Sequence, residues 1–514
     1  MYNNSNSGWT SYEDRSKIVL SNKIPLSAWI SLFVLGSADL ISTTSETMII
    51  PAIPDIISDF EITYSASSWI LSSYLISGAV MTPIAAKLSK IYGKKKILLI
   101  LLGLYIIGTL AAGLSTSMLS LSAARIIQGL GLAIFPVAFA IIQNVFPKEK
   151  IAIGQGVIIA LFSSGSVIGL IAGGYIIENL GWRAIFFILT PFPILMMIFI
   201  HKRIKVEQEE TYASHQIGSN EPIDTKFRTQ KKWESFKFMD IRGTVVLAML
   251  ITSFLIVLTY LGDIESQVSN TVIISLFSTV CIVSFILFVL IERKTRFPTV
   301  PTRIFKDRIL LPVNVSLMIT GLTTLMIYHM IPILVRSPVP LGFGGDAIKV
   351  VEVQLPFMIV LFIVSTLSGF IVSKLGNIKP TIVGGIVGVL GFFGVLFFHT
   401  TEDSIIIGLV IVGTGISLVQ VGGFNIITSK TPRNFAEISV GVTSLLFIIG
   451  MSIGPVISGL YLQNFTDFID GAGPFPTTQA YDTIFLIAAF ISILPMVLIL
   501  VASKNLDPKS AKID

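Results

Sequence analysis

Three charged residues fall where a hydrocarbon-buried chain should carry none: Asp39 and Glu46 in the apolar run 27–53, and Arg125 in the run 118–145. One charge at the centre of a spanning helix costs roughly 2.5–3.5 kcal/mol on insertion scales, so such residues default to function. Asp39 and Glu46 are seven residues apart, close to two helical turns, which places both carboxyls on one face. Two acids in two different environments are what a carboxylate proton carrier requires. His329 and Glu352 are the other ionisable candidates near a pathway, and Gln420 and Asn425 add polar groups to a late apolar run. Nucleophilic catalysis and nucleotide hydrolysis find no support. There is no G-x-x-x-x-G-K-[ST] loop to cradle phosphates, and no polar segment long enough to fold into a nucleotide-binding domain.

The elements that must position these residues are membrane spans. The chain is 53% hydrophobic and 13% charged, with a mean hydropathy of +0.83, which excludes a soluble globule. Its lone cysteine, Cys281, sits in an apolar run, so neither an intrachain disulfide nor a metal cluster is expected. A span needs about 20 mostly apolar residues. Fourteen runs satisfy that length: 27–53, 66–86, 97–115, 118–145, 151–177, 183–201, 241–261, 270–291, 309–334, 347–373, 380–398, 404–429, 437–462 and 480–502. The first is a full span after a polar stretch rather than a short signal-peptide core, so it is expected to be retained.

An even number of spans puts both termini on one side, and Lys/Arg counting says which. The segments sharing that side hold 32 of the 36 basic residues; the opposite side holds only Arg183, Arg336 and Lys349, with Arg125 left inside a helix. The expected topology is multi-pass in the plasma membrane with both termini cytoplasmic. Residues 1–26 form a tail, 27–203 a six-helix bundle, 204–240 a linker, 241–293 two inserted helices and 294–308 a connector. Residues 309–503 form a second six-helix bundle, and 504–514 a tail. The linker ends in Lys231-Lys232-Trp233-Glu234-Ser235-Phe236, a juxtamembrane anchor by composition.

The two bundles share a repeat. A slide of 285 residues lays Pro147–Gly174 over Pro432–Gly459 with ten identities, four of them paired glycines, including Gly165/Gly450 and Gly169/Gly454. A second echo, at 283, places Gly93 over Gly376. Parallel six-helix repeats are the architecture of rocking transporters with a midplane site. The slide puts Val410 under Arg125, so the charged machinery is not duplicated and coupling is expected in the first half.

At this point the residues resemble the major facilitator superfamily and, within it, the fourteen-helix drug:proton antiporter family. The likeness runs from about Ser27 to Val501. Ala86-Lys87-Leu88-Ser89-Lys90-Ile91-Tyr92-Gly93-Lys94-Lys95-Lys96 is similar to the G-x-L-a-D-r-x-G-r-k loop, and Arg125-Ile126-Ile127-Gln128-Gly129-Leu130-Gly131-Leu132-Ala133 to R-x-x-Q-G-x-G-x-A. Gly165 to Gly174 resembles g-x-x-x-G-P-x-x-G-G, and Gly181-Trp182-Arg183-Ala184-Ile185-Phe186 resembles the W-R-w-i-F stretch. Four positions depart from the patterns: Ala86 for Gly, Lys90 for Asp, Leu170 for Pro (which the repeat carries at Pro455) and Ser45 for an acid found one residue later at Glu46.

The resemblance implies an all-α integral membrane protein of the major facilitator fold: fourteen transmembrane helices, two six-helix repeats and two inserted central helices. It implies proton-coupled export of amphipathic or cationic compounds by a monomer whose partners are a small-molecule substrate, protons and the bilayer. Neither nucleic acid, cofactor, metal nor enzymatic activity is expected. Glu46 and Arg125 lie at similar depth, each about two turns from the outer end, and are expected to pair, leaving Asp39 nearer the midplane for a proton or a cation. The competing reading of that pair is a static lock between two helices. Gln128, His329, Glu352, Gln420 and Asn425 are expected at a substrate cavity. Gly93, Gly165, Gly169, Gly173, Gly174, Gly450, Gly454 and Pro455 are expected at gating and packing faces that seal one half on the other. Two other functions remain open: transport of a specific metabolite with another coupling, and a non-transporting receptor or scaffold on the same fold.

Overall fold

The computed structural model describes residues 24–134, 137, 138, 141, 146, 151–203, 240–261, 267–295, 307–431, 436–469 and 473–506. Linker residues 204–239, with the Trp233 and Phe236 anchor, and connector residues 296–306 lie outside the described residues. The elements in order are α1 (Leu26–Met48), α2 (Ile53–Phe60), α3 (Tyr64–Ser67), α4 (Trp69–Tyr92), α5 (Lys94–Gly113), α6 (Met118–Gly129), α7 (Ile151–Leu180), α8 (Ala184–Leu189) and α9 (Pro191–Arg203). They continue with α10 (Ile241–Leu261), α11 (Gln267–Lys294), α12 (Leu310–Arg336), α13 (Ala347–Leu375), α14 (Ile378–Phe397), α15 (Glu402–Lys430) and α16 (Ala436–Asn464). Strands β1 (Thr466–Ile469) and β2 (Gly473–Pro476) and helix α17 (Thr478–Leu506) complete the order.

Apolar runs become helices because every backbone donor and acceptor must then be satisfied within the segment. Among the described residues, twelve helical stretches are long and apolar enough to cross a membrane, against the fourteen expected. The expected span 118–145 appears as α6 and the short 3₁₀ turn Leu130–Ala133, with most of the rest outside the described residues. The expected span 151–177 coincides with the 30-residue α7. One element departs from the all-α expectation: β1 and β2 pair antiparallel, Thr466 opposite Pro476, as a small hairpin between α16 and α17. Its Asp467-Phe468-Ile469 stretch lies between two spans and is too short to declare itself by periodicity.

Several helix starts on the predicted outer face are capped. Thr63, Ser117, Asp346 and Thr401 each accept a backbone N–H from the first turn of α3, α6, α13 and α15. On the opposite face α4 and α13 end at Gly93 and Gly376, with φ of 92° and 77°, a backbone region glycine enters without strain. The 283-residue echo therefore marks the same turn requirement twice.

Within each half, helices close through glycine. A Cβ at Gly165 would lie 2.5 Å from the Leu40 carbonyl oxygen, and one at Gly169 2.4 Å from that of Thr44, so α7 lies against the backbone of α1. In the second half a Cβ at Gly450 would lie 1.8 Å from the Met318 oxygen and one at Gly454 2.3 Å from that of Leu322, which lays α16 on α12 in the same way. Leu40 and Met318, like Thr44 and Leu322, are 278 residues apart, so one contact is made twice. This corrects the gating expectation: Gly165, Gly169, Gly173, Gly450 and Gly454 pack inside a half. Gly174, against Val351 and Ala347, faces the other half, and Gly459, against Tyr64 and Ser65, does the same.

The inserted helices stand outside the two halves. Leu247, Ile251 and Leu255 of α10 join Ile76 and Ala79 of α4 and Val442 and Leu445 of α16 in one buried cluster, so α10 covers a seam. Helix α11 packs on α10 and leaves Val272, Leu276, Ile282, Phe285 and Leu290 exposed, as a lipid-facing helix does.

The glycine contacts make a direct stability test. Gly450→Ala forces its methyl into the Met318 carbonyl, overpacking that costs about 1–3 kcal/mol or more. At Gly441 of the same helix nothing lies within 4 Å of a Cβ. In detergent, Gly450→Ala is expected to melt well below the wild type and Gly441→Ala at or above it; equal melting temperatures would disprove the close approach.

Candidate functional site

Arg125 is fully buried, and so is Gln128 one turn later. The guanidinium is held from three directions. Its Nε donates to the Ile70 carbonyl (3.0 Å), its Nη1 donates to Gln128 Oε1 (2.7 Å), and its plane lies 4.2 Å over the Tyr74 ring. Gln128 Nε2 donates in turn to Ser45 Oγ (2.9 Å) and Thr109 Oγ1 (3.0 Å). The Tyr74 hydroxyl shares a hydrogen bond with Ser42 Oγ (3.2 Å). One connected network thus ties α1, α4, α5 and α6 together, and Nη2 of Arg125 is its remaining unpartnered atom.

The expected Glu46–Arg125 ion pair is not formed. Nη1 of Arg125 donates to Gln128 instead. Gln128 is likewise not a cavity residue: all its amide bonding goes into the bundle interior. Motif reading marked both residues but could not tell that one satisfies the other.

Helix α1 distributes its faces clearly. Leu40, Thr43, Thr44 and Thr47 meet α7; Ile41 and Ser45 meet Tyr105 and Gln128; Ser42 meets Tyr74. Asp39 and Glu46 share the stripe left between the α4 and α7 contacts. Asp39 is 1% exposed, and neither carboxylate oxygen has a hydrogen-bond partner. Glu46 is half-buried.

His329 is fully buried at the junction of the halves. Its Nε2 is 2.9 Å from Ser67 Oγ and its Nδ1 2.8 Å from Ser458 Oγ, so a neutral ring donating to one and accepting from the other satisfies both. Neither serine carries a sequence signal. Nearby, Arg336 pairs with Asp55, Tyr64 N–H donates to Gln463 Oε1 (2.9 Å), and the Ala347 N–H donates to Glu178 Oε2 (3.2 Å). Among the described residues these contacts join the halves toward the predicted outer face. The Trp182-Arg183 motif also acts there: both side chains donate to Asp59 Oδ2, at 3.2 and 2.7 Å, and fasten the end of α2.

Glu352 falls outside the pathway. Its side chain is 59% exposed and pairs with Lys349 (3.1 Å), which also meets Glu402 (2.8 Å). Gln420 and Asn425 are half-buried in α15, and Asn425 donates to the Val421 carbonyl (2.9 Å). Pro455 lies inside α16 and accepts a hydrogen bond from Ser458. Gln354, which sequence reasoning passed over, is fully buried with neither amide atom partnered. Among the described residues, no group of three or more His, Cys, Asp or Glu could hold a metal ion.

Comparison with known proteins follows the same lines. The family model described as Major Facilitator Superfamily matches residues 35–455 and 357–513. Multidrug resistance protein 3 of Bacillus subtilis (strain 168) is 28% identical over 84% of this chain and 79% of its own length. Multidrug transporter protein MdtP of the same organism is 26% identical over 78% and 69%. Among solved structures, an auto-inhibited POT family peptide transporter covers 92% of this chain and 97% of its own, with a TM-score of 0.61 at 13% identity. The xylose transporter XylE from E. coli covers 92% and 96%, with a TM-score of 0.58 at 10% identity. At such identities the structural likeness is one of fold.

The network predicts opposite outcomes at one position. Gln128→Leu removes one acceptor of a buried guanidinium, and a hydrogen bond to a charged group contributes about 1.5–3 kcal/mol. Gln128→Glu keeps acceptors for Arg125, while the Ser45 and Thr109 hydroxyls can donate instead of accept. Melting in detergent should therefore fall sharply for Gln128→Leu and hold for Gln128→Glu. The reverse order would mean that Arg125 does not depend on this residue.

Proposed function

The chain belongs to the major facilitator superfamily, and from that premise we propose that it is a proton-coupled exporter of amphipathic and cationic compounds working by alternating access. The drug-export part of the reading is supported by the names of the multidrug relatives, at 26–28% identity. The coupling part rests on one observation: Asp39 has both carboxylate oxygens buried and unpartnered in a spanning helix. A bare carboxylate is expensive to bury, so binding a proton there relieves a charge that nothing else neutralises.

In this reading fourteen helices cross the plasma membrane, with both termini cytoplasmic, and the protein acts as a monomer. Supporting the count is α7, which is long enough to span, together with α6, whose continuation lies outside the described residues. Residues 27–203 and 309–503 move as two bodies, because each is closed by glycine contacts to backbone. The seam between them combines apolar packing with separable polar contacts. The described conformation is the one closed toward the outside.

Asp39 carries the proton, and Glu46, on the same stripe but nearer the second half, meets the cation. Arg125 holds α1 in register through Gln128 and Ser45 and lends positive potential to that stripe. Gln420 and Asn425 are the second-half candidates on the cytoplasmic part of the path. Gly174 is a gating contact, whereas Gly93 shapes a loop.

Reconstitution tests the coupling. In proteoliposomes with an imposed pH gradient, the wild type is expected to concentrate a lipophilic cation such as tetraphenylphosphonium. Asp39→Asn should lose accumulation against the gradient while keeping exchange of labelled for unlabelled cation down a gradient. Retained uphill accumulation in Asp39→Asn would remove Asp39 from the coupling step.

A further inference from the structure

One stripe of α13 carries Ala347, Val351, Gln354 and Met358, spaced four, three and four residues apart, and meets the first half at its outer end. The outer end of that stripe is closed. A Cβ on Gly174 of the first half would lie 2.2 Å from Val351 Cγ2 and 3.0 Å from the Ala347 oxygen. Its deeper end is also engaged: Met358 Sδ accepts from the Tyr328 hydroxyl (3.1 Å), and the Tyr328 ring meets that of Phe357 edge-on at 5.7 Å. Gln354 lies between these two contacts, fully buried, with Oε1 and Nε2 both unpartnered.

That condition singles Gln354 out. Gln128 is fully engaged, and Asn314 lacks a partner at Oδ1 but donates through Nδ2 to the Leu310 carbonyl. Among the described residues, Gln354 is the one buried side-chain amide with both atoms vacant. A buried donor or acceptor left unmade carries a desolvation penalty of about 1–3 kcal/mol. A primary amide in an apolar helix, on the same face as the Val351 contact to the first half, is matched by an occupant that offers both an acceptor and a donor.

We propose that Gln354 is a specificity-determining residue of the transport path, and that the compounds it selects carry a planar donor–acceptor edge, such as a carboxamide or lactam, beside their cationic group. The inference rests on the export reading above and adds to it a chemical class. The carboxamide edge of Gln354 pairs with that of the ligand through two antiparallel N–H···O bonds. The Tyr328–Phe357 pair and the Met358 thioether supply an aromatic and polarizable wall for the apolar body.

A matched pair of ligands separates this inference from the transport reading: tetraphenylphosphonium and its analogue with one para-carboxamide. Equilibrium binding of each to the purified full chain is measured for the wild type and for Gln354→Leu, which keeps the volume and removes both polar atoms. The wild type is expected to bind the carboxamide cation roughly tenfold more tightly than the parent, as for a site whose polar groups are left unpaired by the simpler ligand. Gln354→Leu should bind the two alike, with its affinity for the parent within about twofold of the wild type. Its melting temperature should equal or exceed that of the wild type, which excludes misfolding as the cause. Equal binding of the two cations by the wild type, binding of neither, or an undiminished preference in Gln354→Leu overturns the inference. Failure of uphill transport in proteoliposomes, with this binding preference intact, would instead count against proton-coupled export.

Discussion

The first half is organised by the requirement that a guanidinium inside an apolar bundle be surrounded by acceptors. Arg125 draws a backbone carbonyl from α4, an amide from its own helix and an aromatic face from Tyr74. Gln128, once its oxygen is committed, must find acceptors for its nitrogen, and Ser45 and Thr109 provide them. Each satisfied group recruits the next until four helices are tied. The consequence for α1 is a fixed rotation: with Ser45 held toward α6 and Ser42 toward α4, the stripe of Asp39 and Glu46 is set between the faces that meet α4 and α7. An intramembrane arginine thus works here by orienting acids it does not touch.

Stiffness and separability are divided between two kinds of contact. Inside each half, α7 on α1 and α16 on α12 approach so closely that a methyl group would overlap a carbonyl oxygen. Such faces gain dispersion along their whole length and have no alternative register. Between the halves, apolar packing such as Gly174 on Val351 is interrupted by polar contacts: Ser67 and Ser458 on His329, Asp55 with Arg336, Tyr64 with Gln463. Each contributes about 0.5–1.5 kcal/mol net. A handful of these adds a few kcal/mol, the scale of a conformational equilibrium, to the apolar packing beside them. In the proposed reading, proton and substrate act on that small total and leave the halves intact.

Sequence patterns reveal what repeats or what is costly. The paired glycines at Gly165/Gly450 and Gly169/Gly454 stood out because backbone contact tolerates no side chain, yet the pattern could not say which helix they touch. They were expected between the halves and lie within them. Asp39, Glu46 and Arg125 stood out by their cost, but charge alone suggested a direct pair, whereas a neutral amide intervenes. Glu352 looked intramembrane by position and is instead drawn to the surface by Lys349, three residues before it. Ser67 and Ser458 were invisible, since small hydroxyls are common in spanning helices, and Gln354 was passed over although neutral amides elsewhere were marked, because only the fold shows that both its polar atoms lack partners. The β1–β2 hairpin is four residues to a strand, below the length at which alternation carries information.

The repeat also explains why the two halves carry different duties. At the 278-residue offset that superposes the glycine contacts of α1 and α12, Asp39 corresponds to Leu317 and Glu46 to Thr324. Leu317 is fully buried against Gly423, a packing position with no room for a carboxylate and its solvation. Thr324 returns its hydroxyl to the Thr320 carbonyl, closing its hydrogen bonding within its own helix. The second half therefore has an apolar, self-satisfied counterpart to the acidic stripe, and a proton arriving at α1 has no equivalent site across the seam. If Asp39 is the proton carrier, the coupling must be mechanical and one-sided: neutralising one face of α1 changes how that face rests against Tyr328 and its neighbours. The half that senses the proton and the half that offers Gln354 are then distinct, and the seam between them is where the two events meet.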